Sequence, residues 1–134
     1  MGDAKLAANR PLSPHLSIYR PMLTMLMSIA HRITGFGNAV SFLLLAWWLV
    51  AIAAGPEQYA VVSSFFGSIV GRTLLFLFSW GLIHHMLGGI RHLIWDTGRG
   101  LDLVSIELFA WATIIGSTVL TILVWVVGYC LRGA

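Results

Sequence analysis

The stretch ITGFGNAVSFLLLAWWLVAIAAGP, residues 33–56, contains no Asp, Glu, Lys or Arg. Two further runs share that property, Thr73 to Ile90 and Leu108 to Leu131. Each reaches about the 18–20 residues that a helix needs to cross a hydrocarbon core roughly 30 Å thick. The composition agrees: 58% of the 134 residues are hydrophobic, 10% are charged, and the mean hydropathy is +0.87. A soluble domain carries roughly 25% charged residues, so this chain cannot cover itself with a hydrated surface. The expected fold is an all-α membrane protein, a single domain over residues 1–134. An interfacial segment over 1–21 would precede transmembrane helices near 22–54, 70–95 and 106–131.

The first apolar run does not read as a secretory signal: about 20 polar or mixed residues precede it, and no small-residue cleavage site follows in the usual place. The start, MGDAKL, has Leu6 where a myristoylation signal needs Ser or Thr. No organelle presequence is visible, which favours a bacterial inner (cytoplasmic) membrane. The net charge of +3 does not mark a nucleic-acid surface, because the basic residues sort by loop instead of clustering. Lys5, Arg10, Arg20 and Arg32 precede or open the first helix, and Arg91 and Arg99 lie between the second and third; only Arg72 and Arg132 fall on the other side. The positive-inside rule then puts the N-terminus inside and the C-terminus outside. The single Cys130 cannot form an internal disulfide and reads as a small apolar residue.

Three of the four prolines fall in NRPLSPHLSIYRPM, residues 9–22, which argues against one continuous helix there. AAGPEQYA, residues 53–60, reads as a short turn, with Tyr59 to Ser68 at the outer interface. WDTGRGLDLVSIE, residues 95–107, reads as a polar loop that caps the last helix. Trp47, Trp48, Trp95, Trp111 and Trp125 lie near the ends of the apolar runs, where interfacial anchoring accounts for most of them.

The most informative passage is SWGLIHHMLGGIRHLIWD, residues 79–96. With His85 set at zero and about 100° per residue, Gly89 falls near +40°, His92 near −20° and Asp96 near +20°. Gly81 lies near −40° and Gly88 near −60°, whereas His84 points about 100° away. His85, Gly89, His92 and Asp96 therefore share a stripe. Neutral imidazole binds haem iron, and small neighbours let a flat macrocycle lie along a helix. A small-residue helix contact with hydrogen-bonded histidines is the competing reading. His85 and His92 are roughly 10.5 Å apart along the axis, too far to ligate one iron together. His85 is the deeper and the better candidate. Arg91 and His92, nearer the inner surface, could meet acidic groups such as propionates. His31 is the one candidate second ligand within the chain, and its shallow position favours a partner subunit as the source.

SIAHRITG, residues 28–35, places Ser28, Arg32 and Gly35 on one helix face, with His31 at its border. An intramembrane charge is costly and usually functional. A snorkelling arginine marking a helix end is the simpler account, but a hydroxyl one turn away suits a carbonyl-bearing ligand near the lipid, such as a quinone.

The two segments RPLSPHLSIYRPMLTMLMSIAHRITG, residues 10–35, and HHMLGGIRHLIWD, residues 84–96, together resemble the cytochrome b subunit of succinate dehydrogenase, the larger membrane anchor of complex II. With the three apolar runs, the resemblance covers nearly the whole chain. It implies half of a heterodimeric helical bundle in which Ser28 and Arg32 line a ubiquinone site. It implies that His85 is one axial ligand of a haem b, the other histidine coming from a second, smaller anchor subunit. His31, Arg32 and Arg91 would hold the propionates, with His92 and Gly89 in the pocket, and Asp96 would serve proton access. FAD and the iron–sulfur clusters would belong to partner subunits, a flavoprotein and an iron–sulfur protein. One cysteine cannot supply four thiolates for a cluster in any case. Two rivals stand beside this reading. One is a small non-redox transporter subunit whose histidines relay protons. The other is a stand-alone haem b protein that pairs His31 with His85 or His92.

Overall fold

The computed structural model describes residues 19–133, so most of the expected interfacial segment over 1–21 lies outside the described residues. Among the described residues the chain is helical with no strand: α1 (Leu23–Ala54), α2 (Pro56–Gly67), α3 (Ile69–Asp96) and α4 (Leu103–Arg132). Helices α1, α3 and α4, of 32, 28 and 30 residues, are long and apolar enough to cross a membrane. At 1.5 Å per residue they run to roughly 42–48 Å, beyond the hydrocarbon thickness, so their ends reach the interfaces or the helices tilt.

Residues 53–60, read from sequence as a short turn, break at Gly55 and then start the short helix α2, which runs through the stretch expected at the outer interface. Gly55 ends α1 with φ +113°, a conformation open to glycine and strained for other residues. Pro56 then starts α2 at its first turn, where its missing N–H costs nothing, with Glu57 beside it. Val62 of α2 is buried, and Phe65 and Phe66 meet the Trp47 ring of α1 at centroid distances of 5.7 and 6.1 Å. Ser68 caps α3, its side chain accepting from the Gly71 N–H at 3.1 Å.

The polar loop caps α4, as its sequence predicts. The Asp102 carboxylate accepts from the Ser105 N–H at 2.9 Å. Trp95 closes the loop by donating its indole N–H to the Gly100 carbonyl at 3.0 Å.

α3 packs against both α1 and α4, and the three helices alternate in direction. Their inward faces are small or polar. Thr34 and Asn38 come from α1, Gly81, His84, Gly88 and Arg91 from α3, and Ala110, Thr113, Ser117 and Thr121 from α4. Large apolar side chains such as Phe36, Leu43, Leu93 and Leu131 point outward. Lipid is as apolar as leucine, so burying leucine gains little in a bilayer; close approach of small residues and internal hydrogen bonds hold the helices instead. The buried hydroxyls are satisfied within their own helix, Thr113 donating to the Phe109 carbonyl and Thr121 to the Ser117 carbonyl, both at 2.7 Å.

Candidate functional site

The two neighbouring histidines of α3 part company as their helical angle requires. His84 is 1% exposed and faces α4, its Nδ1 donating to the Ser117 hydroxyl at 3.3 Å. That hydroxyl spends its own proton on the Ile114 carbonyl, so it can only accept. The Trp80 ring stacks on His84 at 4.8 Å, closing it inside the bundle.

His85 is half-buried and faces α1. Its Nδ1 donates to the main-chain carbonyl of His31 at 3.1 Å, with the Thr34 hydroxyl 3.5 Å away. In return the His31 Nε2 donates to the main-chain carbonyl of His85 at 3.2 Å. The two rings stack face to face, centroids 3.9 Å apart and planes 12° from parallel. This reciprocal clasp needs close helices. A Cβ at Gly35 would stand 3.0 Å from the His85 ring, and one at Gly88 would run into the His31 ring.

A carbonyl can only accept, so the clasp fixes the His85 proton on Nδ1 and leaves the Nε2 lone pair free. An imidazole whose second nitrogen is anchored to a carbonyl is the usual arrangement of a metal-ligating histidine. The donor set therefore fits haem iron at His85. The stacked pair does not fit a single iron held by both His31 and His85: the rings present their π faces to each other, not their lone pairs, and the His31 Nε2 is already committed.

His92 is exposed and meets the His31 ring edge-on at 5.3 Å and the Trp95 ring at 5.2 Å. His31, His85 and His92 thus form one cluster. Gly89 lies beside it with nothing within 4 Å of an added Cβ, open space on the outer side of α3. Asp96 is exposed at the end of α3. Ser28 and Arg32 are exposed together on α1, flanking His31. Arg91 projects from the neighbouring face of α3 and reaches the Trp95 ring that also meets His92. Seven residues after His84, it shares that buried face, 5% exposed, with its guanidinium carbon 5.0 Å from the Trp95 ring centre.

Thr34 and Asn38 were not visible as site residues from sequence. Both are buried on α1 at the α3 contact, where a Cβ at Gly81 would touch them. Their spacing from Met27, at i+7 and i+11, is the signal that marks the inward face.

A family profile described as "Succinate dehydrogenase/Fumarate reductase transmembrane subunit" matches residues 7–124. The chain belongs to this family. Among its relatives is the succinate dehydrogenase cytochrome b556 subunit of Paracoccus denitrificans, 40% identical over 119 residues, 89% of this chain and 92% of that one. The same-named subunit of Rickettsia prowazekii is 35% identical over 117 residues, 87% and 91% of the two chains. The mitochondrial cytochrome b560 subunit of Sus scrofa is 39% identical over 106 residues, 75% of this chain and 61% of that one. Membership in the succinate dehydrogenase/fumarate reductase family agrees with three membrane-crossing helices and places the chain in the membrane part of such a complex.

Proposed function

We propose that this chain is the larger membrane anchor of a succinate:ubiquinone oxidoreductase in a bacterial inner membrane, with its N-terminus in the cytoplasm. It shares a haem b with a second, smaller anchor subunit and forms part of the ubiquinone-reducing site. The observation that supports this most is the His85 ring, held at Nδ1 by the His31 carbonyl, which leaves the Nε2 lone pair free. Haem b, when bound, supplies a one-electron redox centre. His85 would hold its iron from this chain, and a second ligand would come from the partner anchor, since His31 is stacked and committed. His31, Arg32 and His92 would meet the propionates, Gly89 leaves room for the macrocycle, and Arg91 adds positive charge from the buried side.

Ubiquinone is the substrate on this side of the complex. Arg32 stabilises negative charge that develops on a quinone oxygen, and Ser28, one turn away, hydrogen-bonds a carbonyl and orients the ring. Asp96, exposed at the same end of the bundle, gives protons access to that site. Oxidation of succinate belongs to the flavoprotein partner, and an iron–sulfur subunit delivers its electrons to the quinone.

Reduced-minus-oxidised optical spectra of membranes holding the assembled complex test the haem assignment. His85→Ala should abolish or shift the b-type bands, and His84→Gln should leave them in place. Identical bands in native, His85→Ala and His84→Gln complexes would refute His85 as the ligand. Ser28→Ala should depress quinone reduction roughly 10- to 100-fold, the scale of losing one hydrogen bond to an oxygen that gains charge. Succinate oxidation by an artificial soluble dye should stay near the native rate. Equal loss of both activities would refute the role of Ser28.

A further inference from the structure

Arg72 and Arg132 play no part in the site above. They lie at the other end of the bundle: Arg72 precedes Arg91 on the same helix by nineteen positions, roughly 28 Å along the axis. Both line a cavity of about 500 Å³ whose wall is otherwise aromatic and small, with Tyr59, Tyr129, Trp48 and Trp125. The two arginines and Tyr129 also border a smaller hollow of about 310 Å³, so both cationic side chains face one space. Among the described residues no carboxylate lines either space. Two like charges facing one space at a membrane boundary repel each other, and an anion between them reverses that cost.

The cavity does not stop at the arginines. A second space of about 440 Å³ shares Trp48, Phe66 and Leu75 with the first and continues between Leu44, Phe78 and Leu82 of α1 and α3. The combined shape has a cationic mouth with tyrosine hydroxyls, a tryptophan collar and an apolar trough. That sequence of polarities is the inverse image of an anionic amphiphile. Guanidinium groups bind phosphate through paired N–H donors, and tyrosine and tryptophan favour headgroup depth.

We propose that this end of the bundle is a binding site for an anionic phospholipid, its phosphate between Arg72 and Arg132 and one acyl chain in the trough past Trp48. The site is independent of haem and quinone chemistry, so its failure and the failure of the proposed function are separable.

The test is native mass spectrometry of the detergent-purified, delipidated complex with all its subunits, titrated with phosphatidylglycerol or with phosphatidylcholine. The native complex should hold phosphatidylglycerol in preference to phosphatidylcholine. Arg72→Gln with Arg132→Gln should cut that retention about tenfold or more, as loss of charge-assisted bonds requires, with the b-type spectrum unchanged. Arg132→Gln alone, at an exposed helix end, should give an intermediate loss and serves if the double variant does not assemble. Millimolar inorganic phosphate should fail to displace the lipid, because it lacks the acyl chain. Equal retention of the two lipids, or of phosphatidylglycerol by native and variant complexes, would overturn the proposal. So would full displacement by inorganic phosphate, which would reduce the site to a bare anion pocket, or loss of bound quinone in place of lipid.

Discussion

Gly88 and Gly89 are adjacent residues with opposite surroundings. A methyl group at 88 enters the His31 ring, whereas one at 89 meets nothing in this chain. Gly88→Ala should therefore force α1 from α3 and cost about 1–3 kcal/mol, the usual scale of overpacking. Thermal unfolding of the purified protein should show the drop, and an unchanged midpoint would mean that the His31 ring moves aside freely. Gly89→Ala should leave that midpoint unchanged. At this scale helical angle alone told His85 from His84, because one residue turns a side chain by about 100°. The same arithmetic separates Arg91 from the histidine cluster and joins it to His84. Thr34 was illegible for a different reason: a threonine in an apolar helix usually bonds its own backbone, as this one does to the Ala30 carbonyl at 2.9 Å. Only the approach of α3 gives it a second role.

Helix termini were less legible than helix interiors, and for a physical reason. The apolar runs fix the three long helices through the cost of exposing backbone to lipid. The short α2 has no such compulsion and depends on Gly55 and Pro56, a pair that reads equally well as a plain turn. The start of α4 was clearer, since Asp102 followed three residues later by Ser105 has the form of a cap. Hydrogen bonds from Ser105, its hydroxyl and then its N–H, hold the Asp102 carboxyl below the usual value of 3.8. A carboxyl depressed on folding contributes stability above its unfolded value, and that contribution fades as pH falls through the folded one. The group is fully exposed, so the effect is small and screened by salt. Asp102→Asn keeps a capping oxygen without the titration. Its unfolding midpoint should fall less than native between pH 5 and pH 3 at low salt, and parallel curves would show that the cap's charge is immaterial.

On the scale of the whole molecule, polarity is arranged inside out relative to a soluble bundle. Alternating apolar runs made the membrane fold plain, while the interior of hydroxyls, histidine and arginine became evident only when the helices were brought together. The distribution of Lys and Arg leads us to propose an orientation with the C-terminal end of α4 outside. Cys130, exposed and the single cysteine of the chain, is a natural reporter. A membrane-impermeant maleimide should label it from the outer face of intact cells. If lipid shields that thiol, Gly133→Cys in a Cys130→Ser background places one just beyond the helix. Labelling only after the cytoplasmic face is opened would reverse the orientation.

The clasp between α1 and α3 has a genetic consequence. Each ring is tied to the other residue's main chain, so the tie is not written in any one side chain. Replacing His31 by alanine removes one ring but leaves the oxygen that anchors His85, and the converse holds at position 85. An alanine scan would therefore pass over the anchor of the His85 imidazole altogether. What encodes it is the spacing of two backbones, kept by residues whose defining property is the absence of a side chain.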